Sequence, residues 1–260
     1  MTPENRARMQ AVLNGALRQA YLPHGHGTTH HPPGEPAKHE GHELTVAGTP
    51  ATSVGAGADP EALTTRFCEE LEALAGVAYR VKDVHDAADQ VVNIVARTET
   101  QSGQPGQPRQ RGQSRQILGW NMEELGVPGL AAALSVRGIV LAPPEVPFQG
   151  PERAEDLGAL AQLSVGLTGA QAAIAESGSI ILTSGPGRGR LASSLTPFHI
   201  AILRRDRIVR TLEDFFEQRP DVPTLGSNCV IITGPSRTAD IEMTLSRGVH
   251  GPREIHVIIV

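Results

Sequence analysis

The chain has 260 residues, of which 39% are hydrophobic and only 3% aromatic, so it is long enough for one large domain or two small ones. Its 23 basic and 28 acidic residues give a formal net charge of -5, which provides no positive field for a nucleic-acid backbone and makes nucleic acid an unfavourable partner. The two cysteines, Cys68 and Cys229, are far apart in the sequence and do not support a disulfide framework, a cysteine-rich zinc site or a cysteine-ligated iron–sulfur cluster in this chain.

The first 58 residues are predicted to lie outside the main fold. Apolar residues spaced three and four apart predict a short amphipathic helix over residues 5–21, and the sequence from there to residue 58 is rich in His, Gly and Pro. Six histidines in this stretch are consistent with a metal-binding tract, but a flexible polar arm is favoured because no ligand geometry is fixed, and no metal site is predicted. The start of the chain lacks an apolar signal core, so we expect a cytoplasmic protein without a membrane span.

Helices and strands are predicted to alternate from Asp59 onwards. Asp59 and Pro60 supply an N-cap and a first helical residue, and Gly76 ends that helix. Further helices are predicted at 84–96, 128–136, 211–218 and 238–245, an exposed loop at 101–116, and strands at 77–81, 117–120, 139–142, 163–167, 180–182, 199–203, 229–233 and 255–260. The short and almost continuous β-branched runs are typical of strands buried on both faces. We therefore expect one three-layer α/β/α domain over residues 59–260, with an open and mostly parallel sheet.

The first candidate site is a turn that contains Thr168 and Gly169. In parallel sheets, ligands bind beyond the carboxyl ends of the strands, where turns present backbone N–H groups. This turn leads into a predicted Ala-rich helix that ends near Glu176, the only acid between Asp156 and Asp206. A carboxyl group in apolar surroundings suits general acid–base or nucleophilic chemistry. The alternative is a carboxylate that only accepts hydrogen bonds within the turn, and the sequence leaves both open.

The second candidate turn, residues 183–190, follows the predicted strand at 180–182 and contains Gly185, Gly187 and Arg188. Glycines let a backbone close around an anion, and arginine supplies positive charge and a fork of donors. The turn matches neither of the common glycine-rich nucleotide-binding patterns, so it does not identify a nucleotide site. A flexible connection with solvated arginines is the alternative.

The third candidate turn follows the predicted strand at 229–233 and contains Gly234, Ser236, Arg237, Thr238 and Asp240. A hydroxyl group would cap the predicted helix, Arg237 would bind a carboxylate or phosphate, and Asp240 would lie in the first helical turn. An ordinary capped helix does not need Gly-Pro-Ser-Arg before its acids, so this turn is favoured as an anion site.

Three histidines lie in the C-terminal part of the predicted domain. His250 stands between Gly248 and Gly251 and is a candidate proton carrier or ligand. His199 and His256 lie inside apolar strands, so we expect both in the core.

Five stretches after residue 166 form a recognisable pattern: LTGAQAAIAESGSIIL, SLTPFHIAIL, RIVRTLEDFF, TGPSRTADIE and GVHGPREIHVIIV. With these stretches, residues 59–260 resemble the LUD-domain family of lactate-utilisation proteins. The family pattern has Asp where this chain has Gln171, so a mechanism with two carboxylates in the first turn lacks one of them here. The positions that match the pattern at the turns are Thr168, Gly169, Glu176, Gly178, His199, Gly234, Pro235, Ser236, Arg237, Thr238, Asp240, Glu242, His250 and Gly251.

The resemblance implies an α/β fold similar to that of the glucosamine-phosphate isomerase, ribose-phosphate isomerase and CoA-transferase superfamily. It also implies a role beside two companion proteins in oxidising L-lactate to pyruvate, with iron–sulfur motifs in the companions. Iron–sulfur clusters on the companions agree with the presence of only two cysteines in this chain, and no cofactor is expected here.

We therefore expect a non-redox subunit of a lactate-oxidising assembly, which binds a small carboxylate or another small anion through Ser236 and Arg237. One alternative is a free-standing enzyme of the sugar-phosphate isomerase or CoA-transferase type, with Glu176 as catalytic carboxylate and the turn at Arg188 binding phosphate. The other alternative is a small-anion sensor or assembly module without turnover.

Overall fold

Side-chain caps mark where the first and the last of the described helices begin. The computed structural model describes residues 59–101, 115–147, 149–239, 245–248 and 250–260. The Asp59 side chain accepts a hydrogen bond from Glu61 N at 3.1 Å and caps the first helix. Thr211 and Asp214 form a capping box at the start of the last. The described helices are α1 (Pro60–Ala73), α2 (Val84–Gln101), α3 (Leu130–Val136), α4 (Glu152–Leu160), α5 (Leu191–Ser194) and α6 (Leu212–Gln218).

Some predictions concern residues outside the described ranges. These are the helix at 5–21, the His-rich arm, most of the loop at 101–116, and the acids Asp240 and Glu242. Residues Asp59–Val260 form one compact unit. None of the helices in the described part of the chain is both long enough and apolar enough to span a membrane.

Six parallel strands form the central sheet. The described strands are β1 (Val77–Arg80), β2 (Arg115–Gly119), β3 (Ile139–Ala142), β4 (Val165–Gly169), β5 (Ala172–Ile174), β6 (Ser179–Ser184), β7 (Phe198–Leu203), β8 (Ile208–Val209), β9 (Asn228–Ile232), β10 (Arg237–Ala239), β11 (Leu245–Arg247) and β12 (Glu254–Ile259). The central sheet has the order β1-β12-β7-β4-β2-β3, and each neighbouring pair is parallel. This arrangement confirms the predicted α/β class with a mostly parallel sheet.

Helices cover both faces of the central sheet. Successive residues of a strand point to opposite faces, so Phe198 and His199 in β7 mark the two sides. Ile94 of α2 lies beside Phe198 on one side. On the other side α5 lies directly over β4, because a Cβ added to Gly166 would come within 1.9 Å of the Ala192 carbonyl oxygen. The domain therefore has three layers, as the sequence predicts.

A second sheet, in the order β8-β5-β6-β9, departs from the prediction. The stretch after Ala170 forms the strand β5 and not an Ala-rich helix, and β5 pairs antiparallel with β6. β6 in turn pairs antiparallel with β9. The apolar runs at 180–182 and 229–233, expected in the parallel sheet, therefore belong to this smaller, mostly antiparallel sheet.

Burial on both faces explains why the second sheet resembles a parallel one in sequence. Ala173 and Ile180 point into the main core, whereas Ala172 and Ile181 pack with Phe215 of α6. Both faces are covered, so neither strand shows the alternation of apolar and polar residues that an antiparallel strand with one solvated face would have. The predicted helix at 238–245 is also wrong at its ends, where β10 and β11 pair antiparallel.

Candidate functional site

The strand order places a topological switch between β2 and β4. The chain proceeds from β2 outwards to β3 in one direction and from β4 to β7 and then β12 in the other. In doubly wound sheets, ligands bind in the crevice beyond the carboxyl ends of the strands at such a switch. A ligand site is therefore expected at the loops after β2, β4 and β7. We call this region the carboxyl edge.

A short 3-10 helix, Met122–Leu125, lies over the end of β4. A Cβ added to Gly169 would be 2.8 Å from the carbonyl oxygen of Glu124 and 2.9 Å from that of Leu125. Gly169, predicted to bind a ligand, is therefore required for close packing of this helix on the strand.

The turn with Gly185, Gly187 and Arg188 also reaches the carboxyl edge. Its carbonyl groups accept hydrogen bonds from the end of β2: Asn121 N donates to Gly187 O at 2.8 Å, and Trp120 Nε1 donates to Gly189 O at 3.1 Å. The turn therefore packs against the central sheet through its carbonyl groups. These contacts are structural and give no evidence that the turn binds an anion.

Arg188 is engaged within the protein. Its Nη1 donates to Glu124 Oε2 at 2.9 Å and its Nη2 donates to Leu225 O at 3.2 Å, while the side chain is only 17% exposed. Gly185 leaves the space that the guanidinium occupies, because an added Cβ would lie 3.0 Å from Nη2. These contacts make Arg188 a bridge between the second sheet and the 3-10 helix.

Arg207 is a cation at the carboxyl edge that the sequence reasoning missed. It follows β7 and is half-buried, and its Nη1 donates to Ala170 O at 3.2 Å, just beyond the end of β4. Burial lowers the pKa of the Arg207 guanidinium and the charge of Arg204 lowers it further, whereas the negative charge of Asp206 acts in the opposite direction. Asp206, next to it in sequence, is bound instead by Arg204 through two hydrogen bonds.

Within the described ranges, no carboxylate lies at salt-bridge distance from Arg207. A half-buried guanidinium that forms no ion pair favours binding of an anion, since its planar fork of donors matches a carboxylate. The sequence offered one signal, a short loop rich in arginine directly after a buried strand.

The third predicted turn lies at the opposite edge of the sheet. The Arg237 guanidinium donates to the Leu74 carbonyl at the end of α1, just before β1 begins. Ser236 N donates to Pro252 O at 2.8 Å, just before β12 begins. Gly234, Ser236 and Arg237 therefore lie at the amino edge, where Arg237 satisfies a helix C-terminus.

The helix N-terminus expected at this turn is replaced by a strand. Thr238 belongs to β10, and Asp240 lies outside the described residues. His250 is exposed in the neighbouring loop. The structure therefore separates the third turn from the first two, and a single pocket does not unite all three.

Glu176 is exposed at the turn between β5 and β6. Its backbone N–H donates to Arg210 O at 3.0 Å, and the next glycine, Gly178, has φ of 60° and lies against the backbone of α1 at Leu71. Of the two alternatives left open by the sequence, the exposed position of Glu176 favours a carboxylate at a turn over a buried acid. Glu176 and Arg188 also lie beyond opposite ends of the six-residue strand β6, which spans roughly 20 Å.

Thr168 and His199 form a hydrogen-bonded pair inside the sheet. Thr168 Oγ1 and His199 Nε2 are 2.9 Å apart, and neither residue has exposed surface. Burial lowers the pKa of His199 to about 3, so its ring is neutral at ordinary pH. His256 is also buried and stacks on Tyr79. The prediction that His199 and His256 are core histidines is confirmed, and Thr168 lies with them rather than in an open site.

Metal binding finds no support among the residues that the structure describes. There, no group of three or more His, Cys, Asp or Glu side chains is arranged to hold an ion. Gln171, which replaces the acid of the expected pattern, uses its Oε1 to accept a hydrogen bond from Thr183 N at 3.4 Å. This contact ties the start of β5 to β6.

Comparison with known proteins gives consistent matches. The sequence model of the LUD domain matches residues 64–260. A protein named lactate utilization protein C from Deinococcus radiodurans is 43% identical over 95 residues, which is 36% of this chain and 45% of that protein. A protein of the same name from a Geobacillus species is 40% identical over 103 residues, 38% of this chain and 43% of that protein. These alignments span less than half the length of either relative.

A solved structure has the same fold. The crystal structure of a DUF162 family protein from Deinococcus radiodurans superposes with a TM-score of 0.50 and 22% sequence identity, covering 78% of this chain and 98% of that one.

Proposed function

The chain belongs to the LUD domain family, and on that basis we propose that it is a non-redox component of a lactate-utilisation system. The observation that carries this proposal is the similarity to proteins named lactate utilization protein C. In this role the chain acts with iron–sulfur partner proteins that oxidise L-lactate to pyruvate.

The cysteines support the assignment of redox centres to the partners. Cys68 and Cys229 are free and half-buried, and burial raises the pKa of both thiols. Raised thiol pKa values disfavour the thiolates that ligate iron.

Arg207 is the group that we propose to bind the carboxylate of lactate or pyruvate. Its position at the carboxyl edge, its half-burial and its lack of a paired carboxylate in the described ranges support this assignment over Arg188 and Arg237. Arg188 already pairs with Glu124, and Arg237 already pairs with the end of α1. The first two turns thus supply the framework of the site, and Arg207 supplies its charge.

The carboxylate site is tested by thermal unfolding of the full chain with L-lactate. A ligand at a hundred times its Kd stabilises the folded state by about 2.7 kcal/mol, which raises the Tm by about 5 to 11 °C for a domain of this size. Arg207→Gln should remove the rise, whereas Arg66→Gln, which changes an exposed arginine on α1, should retain it. A full Tm rise in Arg207→Gln would contradict the assignment.

The role in the system is tested by reconstitution. Iron–sulfur partner proteins, purified from the same system, are assayed for L-lactate oxidation with and without this chain. We expect oxidation to fall when the chain is omitted or replaced by Arg207→Gln. Unchanged oxidation together with saturable lactate binding would instead identify a sensor without a part in turnover.

The alternative of a free-standing isomerase or CoA-transferase has less support. It assigns catalysis to Glu176 and phosphate binding to the turn at Arg188, and one active site would have to bring the two together. Glu176 is exposed, and the two residues lie beyond opposite ends of β6.

A further inference from the structure

A cleft of about 420 Å³ lies beside the carboxyl end of β2 and extends along β3. It is open to solvent, and its walls include Trp120, Asn121, Ser135, Val140, Leu141 and Pro143. Small-molecule sites in proteins have volumes of roughly 300 to 1,000 Å³. The cleft is therefore the size of a ligand site and much larger than a three-carbon acid needs. One end of the cleft, at Gly119 and Trp120, reaches the carboxyl end of β2 beside the topological switch, where doubly wound sheets bind ligands.

The walls of the cleft are mainly apolar and carry no charged side chain among the described residues. Val140 is 45% exposed although it belongs to a strand of the central sheet. An ion held here would lose hydration without gaining a counter-charge, which is costly. The part of a ligand that occupies the cleft is therefore neutral.

Two polar side chains in the walls have unused hydrogen-bonding capacity. Asn121 occupies the N-cap position of the 3-10 helix, where asparagine usually caps, yet its side chain makes no capping bond. Among the described residues, neither the Asn121 amide nor the Ser135 hydroxyl has a hydrogen-bond partner, and both side chains are exposed. A purely aliphatic occupant would desolvate these groups and leave them unpaired.

We propose that this cleft binds a neutral heterocyclic group with an amide-like edge. The carboxamide of Asn121 offers a donor and an acceptor side by side, and such an edge on the ligand pairs with both. Ser135 supplies a second polar contact, and the apolar side chains from β3 cover the rest of the ring. This ligand is distinct from the carboxylate bound by Arg207, and its site does not depend on the role in lactate utilisation.

Trp120 provides a built-in reporter, because it is the only tryptophan of the chain and lines the cleft. Its fluorescence is followed while the full chain is titrated with adenosine, nicotinamide or riboflavin, with benzoate as an anionic comparison. We expect a saturable change with at least one of the three neutral heterocycles and none with benzoate. Riboflavin titrations are corrected for its own absorption.

Two variants and one control locate the binding. Ser135→Phe fills the cleft and Asn121→Leu removes the amide, and each should weaken binding by about tenfold or more. Val136→Phe is the matched control, since Val136 is the next residue of α3 but is 85% exposed and does not line the cleft. Circular dichroism and the Tm confirm that each variant is folded.

Three results would overturn the proposal. The first is no saturable fluorescence change with any of the three heterocycles at millimolar concentration. The second is equal binding by Ser135→Phe and the unchanged chain. The third is self-association in solution that Val140→Glu abolishes, which would assign the cleft to a second copy of the chain. None of these results bears on lactate binding, which is measured separately with Arg207→Gln.

Discussion

Replacing Gly169 by alanine separates a packing role from a ligand role at the carboxyl edge. Gly169 was predicted to bind a ligand, but the structure places it under the backbone of the 3-10 helix. An added Cβ would lie 2.8 Å from Glu124 O and 2.9 Å from Leu125 O. Ordinary contacts are several tenths of an ångström longer, so the helix has to move. Overpacking of this kind costs about 1 to 3 kcal/mol, which lowers the Tm by about 2 to 12 °C.

Gly158→Ala is the matched control for this substitution. Gly158 lies inside α4, and an added Cβ would meet nothing within 4 Å. Alanine stabilises a helix interior by about 0.5 to 1 kcal/mol over glycine, so the Tm should rise by about 1 to 4 °C. Both variants are measured by calorimetry with and without L-lactate. A Gly169→Ala variant with an unchanged Tm but no stabilisation by lactate would refute the packing argument and restore Gly169 as a ligand contact.

Two further predictions concern stability. His199 binds a proton in the unfolded chain below about pH 6.5, but in the folded chain only near its lowered pKa of about 3. As the pH decreases from 6.5 towards 3, this group should therefore reduce the free energy of unfolding by about 1.4 kcal/mol per pH unit. In urea titrations between pH 7 and 5, the free energy of unfolding should decrease more steeply with falling pH for the unchanged chain than for His199→Gln. Equal pH dependence in the two proteins would contradict the lowered pKa of His199. Arg237→Ala should cost about 0.5 to 1 kcal/mol through loss of the helix C-terminal contact and leave lactate binding unchanged, and loss of binding would return Arg237 to the site.

The sequence predicts those parts of the fold that local signals determine. The Asp59–Pro60 cap locates α1, and apolar runs locate β4, β7 and β12. The hairpin of β5 and β6 was missed because its residues are buried on both faces, which removes the alternation that marks such strands. Alanines in β5 also favour a helix when judged by propensity alone, and tertiary packing overrides that preference.

The location of the site depends on strand direction, which local patterns do not reveal. A turn that follows a strand lies at the carboxyl edge only if that strand runs parallel to the central sheet. β9 runs antiparallel to β6, so the turns after these two strands lie at opposite ends of the pair. This difference places Gly234 and Arg237 away from Gly169 and Arg188. The sequence does not single out Arg207, because only the structure shows that the adjacent Asp206 is already bound by Arg204.

The position of β12 determines when the central sheet can be completed during synthesis. β1 pairs with β12, and Tyr79 and His256, whose side chains meet across this pair, are 177 residues apart. Closing so long a loop costs chain entropy before the strand contacts repay it. On the ribosome, α1 and β1 emerge early, but β1 cannot pair with β12 until almost the whole domain has been translated. A chain stalled after β7 would leave both sides of β1 and one side of β7 open to other strands, so chaperone dependence and aggregation should be greatest in that interval.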